Sequence, residues 1–213
     1  RNPVLGTLMV LKNLLSSSEE KILLPRSILE RMVQSSDRQL NLINSLMEAH
    51  VSEVQGAVLQ RQTVQLHTVI EAAIADLEPM LKENQAVLTN LVSADLPSIN
   101  ADPTQLWRVY SNLIVNAVKH NPPGLSITLD ATVEDDKICC TVADNGVGMS
   151  QQQSEHLFDL YFRGSNVRNS LSLGLGLYLC RQIITAHGGE IDVKSDLGKG
   201  ATFWFTLPLQ LLF

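Results

Sequence analysis

The stretch PTQLWRVYSNLIVNAVKH, Pro103 to His120, constrains the fold more than any other part of the chain. Asp102 is a good helix N-cap, Pro103 suits the first helical position, and Gln105 completes a capping-box pattern. The apolar residues recur at helical spacing and predict one buried face. They are Leu106, Val109, Tyr110, Leu113 and Ala117. The stretch therefore predicts an amphipathic helix packed on a core.

A second face of this helix carries a polar set: Arg108, Asn112, Asn116, Lys119 and His120. A solvated face would usually carry Glu and Lys, because Asn is a mediocre helix former that competes for backbone hydrogen bonds. An amide oxygen is a suitable neutral ligand for Mg²⁺, which takes its charge compensation from substrate phosphates. We therefore expect a phosphate ligand here, met by Lys119 and supported by Arg108.

Downstream, the segment DNGVGM, Asp144 to Met149, at first indicates a hairpin turn, because Asn and Gly accept positive φ. The unit SLGLGLYLCRQIITAHGG, from residue 172, predicts another helix, opened by Gly174 and Gly176. Glycines at a helix start expose N–H groups at the positive end of the helix dipole, where an anion can bind, but a Gly-rich turn alone is weak evidence and close packing is the alternative use of it. The polar segment 164–172 before this helix could cover a bound nucleotide.

Strand patterns surround these helices. RQTVQL and AVLTNLV predict strands around a helix from about Thr68 to Glu83, and LSITLDATV with KICCTVAD predicts an antiparallel hairpin. GEIDVKS with GATFWFTLP predicts a second hairpin. Together they predict an α/β two-layer sandwich with helices on one face of a mixed sheet.

The N-terminal region has a different, helical pattern. Apolar residues recur at helical spacing from Arg1 to about Ser17 and from Ser27 to about Val54, which predicts an antiparallel helical hairpin. Two helices cannot close a core, so we expect a second copy of the chain to complete a four-helix bundle; packing on its own chain is the alternative. The predicted α+β chain thus has a hairpin domain at 1–56 and a sandwich domain at 57–213.

Composition narrows the possible partners. The net charge of -6 disfavours nucleic acid, which would require clustered Lys and Arg. No apolar run approaches the roughly 20 residues that span a bilayer, and no signal peptide opens the chain, so we expect no membrane contact by this region. Three poorly spaced cysteines indicate reduced residues and a cytoplasmic location. The chain starts at Arg1 within an amphipathic pattern, which suggests a longer protein.

Several motifs occur in an order that resembles one family. Asn112, Asn116 and Lys119, then DNGVGM, LFDLYFRG, GLGL and GKGATF, resemble the successive nucleotide-binding boxes of the sensor histidine kinases. RNPVLGTL is similar to the second half of that family's histidine box, commonly His-acid-Leu-Arg-Asn/Thr-Pro. The resemblance covers almost the whole chain. It implies a Bergerat-type ATP-binding domain behind a dimerisation and phosphotransfer hairpin.

The resemblance also implies roles for individual residues. Asp144 would accept a hydrogen bond from the adenine amine, which a carboxylate can do for adenine but not for the O6 of guanine. Gly146 and Gly148 would let the backbone approach the nucleotide. Asn116 would hold Mg²⁺. The other residues expected at the nucleotide are Asn112, Lys119, His120, Gly174, Leu175, Gly176, Leu177 and Thr202.

The sequence departs from the family pattern in two ways. Ser172 stands where the glycine-rich lid often has another Gly, so that lid is expected to be stiffer. The phosphoacceptor His is absent and would lie three residues before Arg1. None of the five His present is a plausible substitute. Asn2 would lie on the acceptor's helix face, where the family's Thr or Asn is implicated in removing phosphate from the regulator.

The function implied is that of a homodimeric kinase core. It would transfer the γ-phosphoryl of MgATP to a His and then to an Asp of a response regulator receiver domain. A gyrase-like ATP hydrolase would carry a Glu at the position of Asn112, and Asn is not a general base. A degenerate nucleotide-binding dimeric scaffold is a further alternative. A serine-directed kinase of the anti-sigma-factor type would lack the long helical hairpin.

Overall fold

A computed structural model describes residues 8–12, 16, 24–55, 58–162 and 174–209 of the protein. The chain divides into two compact units, Arg1–His50 and Val51–Phe213. The domain boundary expected after residue 56 stays a prediction. Within the described ranges, no helix is both long enough and apolar enough to cross a membrane.

The N-terminal region is helical where it is described. Residues 8–12 form a helical segment, and helix α1 spans Arg26–Gln55, close to the predicted second helix. Apart from Ser16, the rest of the predicted first helix lies outside the described residues. Several large apolar side chains of α1 are exposed in the single chain: Leu29, Val33, Leu40, Ile43 and Met47. A helical bundle would bury such side chains, but the hairpin, the bundle and the dimer stay predictions.

From Gln62 onward, helices and strands are mixed, as the sequence predicts. In order they are β1 Gln62–Val64, α2 Leu66–Glu83, β2 Val87–Asn90, β3 Ile99–Ala101, α3 Pro103–His120, β4 Ser126–Glu134, β5 Lys137–Asp144, α4 Gln151–Glu155, α5 Gly176–Ala186, β6 Ile191–Ser195 and β7 Ala201–Pro208. The α+β class is confirmed. Two short elements, β3 and α4, were not predicted.

The strands form a mixed five-stranded sheet in the order β2-β4-β5-β7-β6. Strand β2 runs parallel to β4, and every other neighbouring pair is antiparallel. Both predicted hairpins, β4–β5 and β6–β7, are therefore present. A separate pair, β1 with β3, lies antiparallel at the start of the unit. The end of β5 brings Asp144 opposite Ala201 at the start of β7.

Helices α2, α3 and α5 cover the side of the sheet that carries its buried residues. Ile138, Cys140 and Val142 alternate with more exposed neighbours along β5, as expected for a strand with one buried face. Tyr110 of α3 packs edge-on against Phe205 of β7, with ring centroids 5.3 Å apart. This shared core fixes α3 against the sheet and positions the polar face of α3 relative to the end of β5.

The start of α3 is well specified, but not by a complete capping box. Asp102 Oδ1 accepts the N–H groups of Thr104 and Gln105, at 3.0 and 3.1 Å, which confirms the N-cap. In a capping box the Gln105 side chain would bond the Asp102 N–H. That N–H instead donates to Nε2 of the buried His187, at 3.0 Å. The capping-box expectation was wrong because a residue at the end of α5 takes the donor.

Candidate nucleotide-binding site

The polar face of α3 contains two asparagines in different situations. The Asn112 amide donates a hydrogen bond to the sulfur of Cys180, a fully buried residue of α5 whose own thiol points to the Val109 carbonyl. Burial raises the pKa of Cys180 to about 12, so the thiol stays neutral at physiological pH. No group in the described parts of the chain hydrogen-bonds the side chain of Asn116, which is only half-buried. Asn112 is thus held by the protein, whereas Asn116 can turn its amide to a ligand.

The beginning of α5 lies next to this face. A Cβ added at Gly176 would lie 3.5 Å from Asn112 Oδ1, so the first turn of α5 is adjacent to the asparagine pair. The first intrahelical bond of α5 runs from the Leu179 N–H to the Leu175 carbonyl, 2.9 Å away. The N–H groups of Gly176 and Leu177 are therefore not used by the helix, and they lie at its positive end.

Gly174 has a packing role that the sequence left open. Its φ is +71°, which L side chains rarely adopt, and a Cβ there would overlap the carbonyl oxygen of Phe162. Gly176 has neither restriction. Close packing therefore explains Gly174, while the exposed helix amides remain suited to an anion. Leu175, at the N-cap, is itself buried, so only its backbone could face a ligand.

Asp144 ends β5 and belongs to the turn that follows. Its Oδ1 accepts the Gly146 N–H at 2.9 Å, and the backbone of Ala201 also bonds the carboxylate. Burial raises the pKa of Asp144 above its ordinary value of 3.8, and these two bonds only partly offset that effect. The carboxylate is thus half-desolvated, which strengthens any hydrogen bond it accepts from a ligand.

Two turns that were separate motifs in the sequence pack against each other. A Cβ at Gly148 would overlap the backbone oxygen of Asp196, and one at Gly200 would overlap that of Asp144. The Gly198 N–H also donates to the Val147 carbonyl at 2.7 Å. The glycines of DNGVGM and GKGATF therefore allow the two turns to contact closely and hold Asp144 in place.

Sequence reasoning missed Asn121, the residue immediately after α3. Its Nδ2 donates to the Ala117 carbonyl at 2.8 Å, and its Oδ1 accepts the Val147 N–H at 2.7 Å. The amide therefore joins the helix of the asparagine pair to the turn of Asp144. Its position directly after a predicted helix was the only available signal, because the bond to Val147 crosses 26 residues.

The remaining predicted site residues lie in different parts of the structure. Lys119 and His120 are exposed at the end of α3, and partial desolvation lowers the pKa of His120, with a further lowering from Lys119.

Thr202 does not lie on the same face of the sheet as Asp144. It pairs with Ala143, and alternation along the strands puts that pair on the opposite face of the sheet from Asp144 and Ala201. Asn2 and the lid segment, including Ser172, lie outside the described residues.

Comparison with known proteins defines the class of this ATP-binding fold. Residues 101–211 match the family described as histidine kinase-, DNA gyrase B-, and HSP90-like ATPase. The chain belongs to this family. It is 31% identical over 217 residues to the adaptive-response sensory kinase SasA of Synechococcus sp. (strain JA-2-3B'a(2-13)), a match that covers 100% of this chain and 57% of that protein. The chain thus spans little more than half the length of that relative.

Solved structures have a similar fold. Full-length ShkA in complex with AMPPNP superposes with a TM-score of 0.79 at 26% identity, over 97% of this chain and 42% of that one. Histidine kinase ThkA in complex with response regulator protein TrrA superposes with a TM-score of 0.75 over 99% of this chain and 58% of that one. At 19% identity, the second match shows the fold alone. The resemblance to sensor histidine kinases is confirmed.

Proposed function

We propose that this chain is the kinase core of a two-component sensor. In this proposal it binds MgATP and transfers the γ-phosphoryl group to a histidine that the family resemblance places before residue 1. The phosphoryl group then passes to an aspartate of a response regulator receiver domain. The chain acts as a homodimer in the cytoplasm.

The observation that carries the proposal is the chemistry of α3 beside the start of α5. The 18 residues of α3 include neither Asp nor Glu. Asn112, one turn before Asn116, contacts Cys180 and lies next to Gly176. A neutral amide cannot take a proton from water at pH 7, so a bound ATP would not be hydrolysed by this face. A stronger nucleophile, such as an imidazole, is needed to accept the phosphoryl group.

The residues present fit a magnesium ion that arrives with the nucleotide. The described residues contain no group of three or more His, Cys, Asp or Glu side chains able to hold a metal ion by themselves. Mg²⁺ in phosphoryl-transfer sites takes one or two protein oxygens and completes its shell with phosphates and water. Asn116 offers one such oxygen. When bound, the ion would neutralise charge on the phosphates.

The other residues would position the nucleotide. The half-desolvated Asp144 carboxylate would accept a hydrogen bond from the adenine amine. The backbone amides of Gly176 and Leu177 would bind the phosphates at the positive end of α5. Lys119 would add a positive charge there. The pKa of His120 is lowered, so its ring is predominantly neutral at physiological pH and suited to lie against the base. Thr202 would contribute only through its backbone or indirectly.

Two observations support the proposed partners, a second copy of the chain and a response regulator. The exposed apolar side chains of α1 would be buried by the helices of a second copy. The ThkA–TrrA complex, with the same fold, includes a response regulator. By this analogy of fold, the partner of this chain is a receiver domain with a phosphorylatable aspartate.

The test uses the full-length protein that contains this chain and ATP labelled at the γ-phosphate. We expect acid-labile, base-stable label on the protein, followed by its transfer to a cognate receiver domain. The 213-residue chain alone should bind ATP without becoming labelled. Rapid ADP release by the full-length protein, with no phosphohistidine, would instead indicate the gyrase-like hydrolase. ATP binding with neither reaction would indicate a scaffold.

A further inference from the structure

Asn121 connects the two halves of the candidate site. Its side-chain amide donates through Nδ2 to the Ala117 carbonyl and accepts through Oδ1 from the Val147 N–H. Only this orientation of the amide serves both contacts, because a flipped amide would turn its NH₂ group toward the Val147 N–H. One side chain therefore fixes the spacing between the end of α3 and the turn at 144–149.

The turn at 144–149 packs closely against this amide. A Cβ at Gly146 would overlap Asn121 Oδ1 and Cγ and would lie 2.5 Å from Nδ2. The φ of Gly146 is not in the left-handed region, since positive φ values occur at Gly148 and Gly200 but not here. Gly146 is therefore required for space, and the space is occupied by Asn121.

Gly146 in turn holds the carboxylate. Its N–H donates to Asp144 Oδ1 at 2.9 Å, while its Cα faces the Asn121 amide. A displacement of the turn away from Asn121 would therefore move the donor that orients Asp144. Asn121 acts on Asp144 through this contact and the bond to Val147, and within the described ranges it makes no hydrogen bond to the carboxylate itself.

We propose that Asn121 is a positioning residue for nucleotide-base recognition: it sets where the Asp144 carboxylate stands relative to the asparagine pair on α3. The inference rests on the proposed role of Asp144 in binding adenine. Other side chains fit the position less well. Asp has no donor for Ala117 and would add a negative charge near Asp144, whereas Ser is too short to reach both partners.

The chain contains a matched control, Asn84 at the end of α2. Its Nδ2 donates to the Met80 carbonyl, four residues back, at 2.8 Å, as Asn121 does to Ala117. Asn84 is the C-cap of α2, and in the described part of the chain its side chain makes no hydrogen bond to the turn at 144–149. The variant Asn84→Ala therefore reports the cost of losing a helix-end amide bond alone.

The experiment measures binding of ATP, GTP and inorganic tripolyphosphate, each with Mg²⁺, by calorimetry. Asn121→Ala should weaken ATP binding about tenfold, the cost of one misplaced hydrogen bond. It should reduce the preference for ATP over GTP and leave tripolyphosphate binding unchanged, because α3 and the start of α5 remain. Asn84→Ala should change none of the three affinities. Equal weakening of all three ligands would indicate a general loss of folding and would overturn the proposal.

A double-mutant cycle tests the contact between Asn121 and Gly146. Gly146→Ala in the wild-type background should expel the Asn121 amide and weaken ATP binding at least as much as Asn121→Ala does. In the Asn121→Ala background, the same change should add little, because the space is then empty. Additive effects would overturn the proposal. If Gly146→Ala does not fold, the ATP and GTP affinities of Asn121→Ala decide it. Failure of the wild type to bind ATP would instead refute the proposed function.

Discussion

The backbone N–H of Asp102 donates to Nε2 of His187 at 3.0 Å, which joins the start of α3 to the end of α5. The other ring nitrogen of His187, Nδ1, bonds the Ile183 carbonyl at 2.7 Å and must therefore carry the proton. The Asp102 carboxylate also accepts the Gln60 N–H at 2.9 Å. The ring is buried and uses both nitrogens in its neutral form. The two helices that carry the candidate site are thus held together by an uncharged histidine.

We expect His187→Gln to destabilise the protein at pH 7. A Gln amide that accepts the Asp102 N–H through its oxygen has no donor at the place of Nδ1 for the Ile183 carbonyl, so one of the two buried bonds is lost, at a cost of about 1–3 kcal/mol in the free energy of unfolding. Urea unfolding measures that free energy. The control is His67→Gln, since His67 is only half-buried and its ring makes one hydrogen bond within the described ranges, from Nδ1 to the Val92 carbonyl. Equal stability of the two variants would contradict a special role for His187.

The same residue predicts a dependence of stability on pH. Burial lowers the pKa of His187 in the folded chain below its ordinary 6.5, so the unfolded chain binds the proton more readily. Its contribution is fully present above about pH 6.5 and is lost as the pH falls through the lower, folded-state pKa. The wild type should therefore lose more stability than His187→Gln between pH 7 and 5. Parallel pH profiles for the two proteins would show that the ring does not titrate on unfolding.

The sequence predicted α3 well because several local signals agree on it. The cap at Asp102, Pro103 and the apolar spacing all specify the same helix, and the structure has it at Pro103–His120. The capping box failed there because a distant residue, His187, took the Asp102 N–H. A complete capping box occurs instead at Ser150 and Gln153, at the start of the short helix that was not predicted. Local patterns thus predict helix starts but not which donor a tertiary contact will take.

The candidate site was only partly predictable for a related reason. Asp144, Asn116 and the glycines belong to short motifs, so they could be chosen without knowing the fold. Thr202 was chosen from its motif too, but the register of β7 with β5 puts Ala201, not Thr202, opposite Asp144. Asn121 had no signal beyond its position directly after a predicted helix, since its partner Val147 is brought near only when β4 and β5 pair. Register and long-range contacts cannot be obtained from composition or periodicity.

Asp144→Asn should weaken ATP binding at pH 7. An amide cannot replace both lone-pair contacts of a carboxylate, and the loss of a charged hydrogen bond is worth about 1–3 kcal/mol of binding free energy. Calorimetric titration with ATP measures it. Asp130→Asn is the matched control, because Asp130 on β4 bonds the Ala131 N–H yet lies on the sheet's other face. ATP affinity unchanged by Asp144→Asn would remove Asp144 from the base site.

The raised pKa of Asp144 predicts how this binding responds to acid. Because burial raises the pKa above 3.8, the carboxylate takes up its proton at a higher pH than an exposed Asp would. Protonation removes the charged acceptor, so the ATP affinity of the wild type should fall toward that of Asp144→Asn as the pH is lowered. The variant should show a flatter profile. Identical slopes for the two proteins would mean that another group governs the pH dependence.

Asn116→Ala should separate metal-dependent catalysis from nucleotide binding. The change removes the amide oxygen proposed for Mg²⁺, while the contacts of Asp144 with the base persist. In the full-length protein, phosphorylation at saturating MgATP should fall by more than tenfold, and ATP affinity should become nearly independent of Mg²⁺. The comparison is calorimetry with Mg²⁺ and with a chelator. Normal phosphorylation would exclude Asn116 as the metal ligand.

Asn2 should affect removal of phosphate from the response regulator without affecting its delivery. By the family resemblance, Asn2 would lie one helical turn after the acceptor histidine, on the same face, where an amide can orient water by a hydrogen bond but cannot deprotonate it. In the full-length protein, Asn2→Ala should therefore leave autophosphorylation near the wild-type rate and slow dephosphorylation of the phosphorylated receiver domain. Asn2→Thr should retain that activity, because a hydroxyl can make a similar bond. If Asn2→Ala dephosphorylates the receiver as fast as the wild type, Asn2 has no phosphatase role; if it blocks autophosphorylation as well, its effect is on the acceptor helix and not on the water.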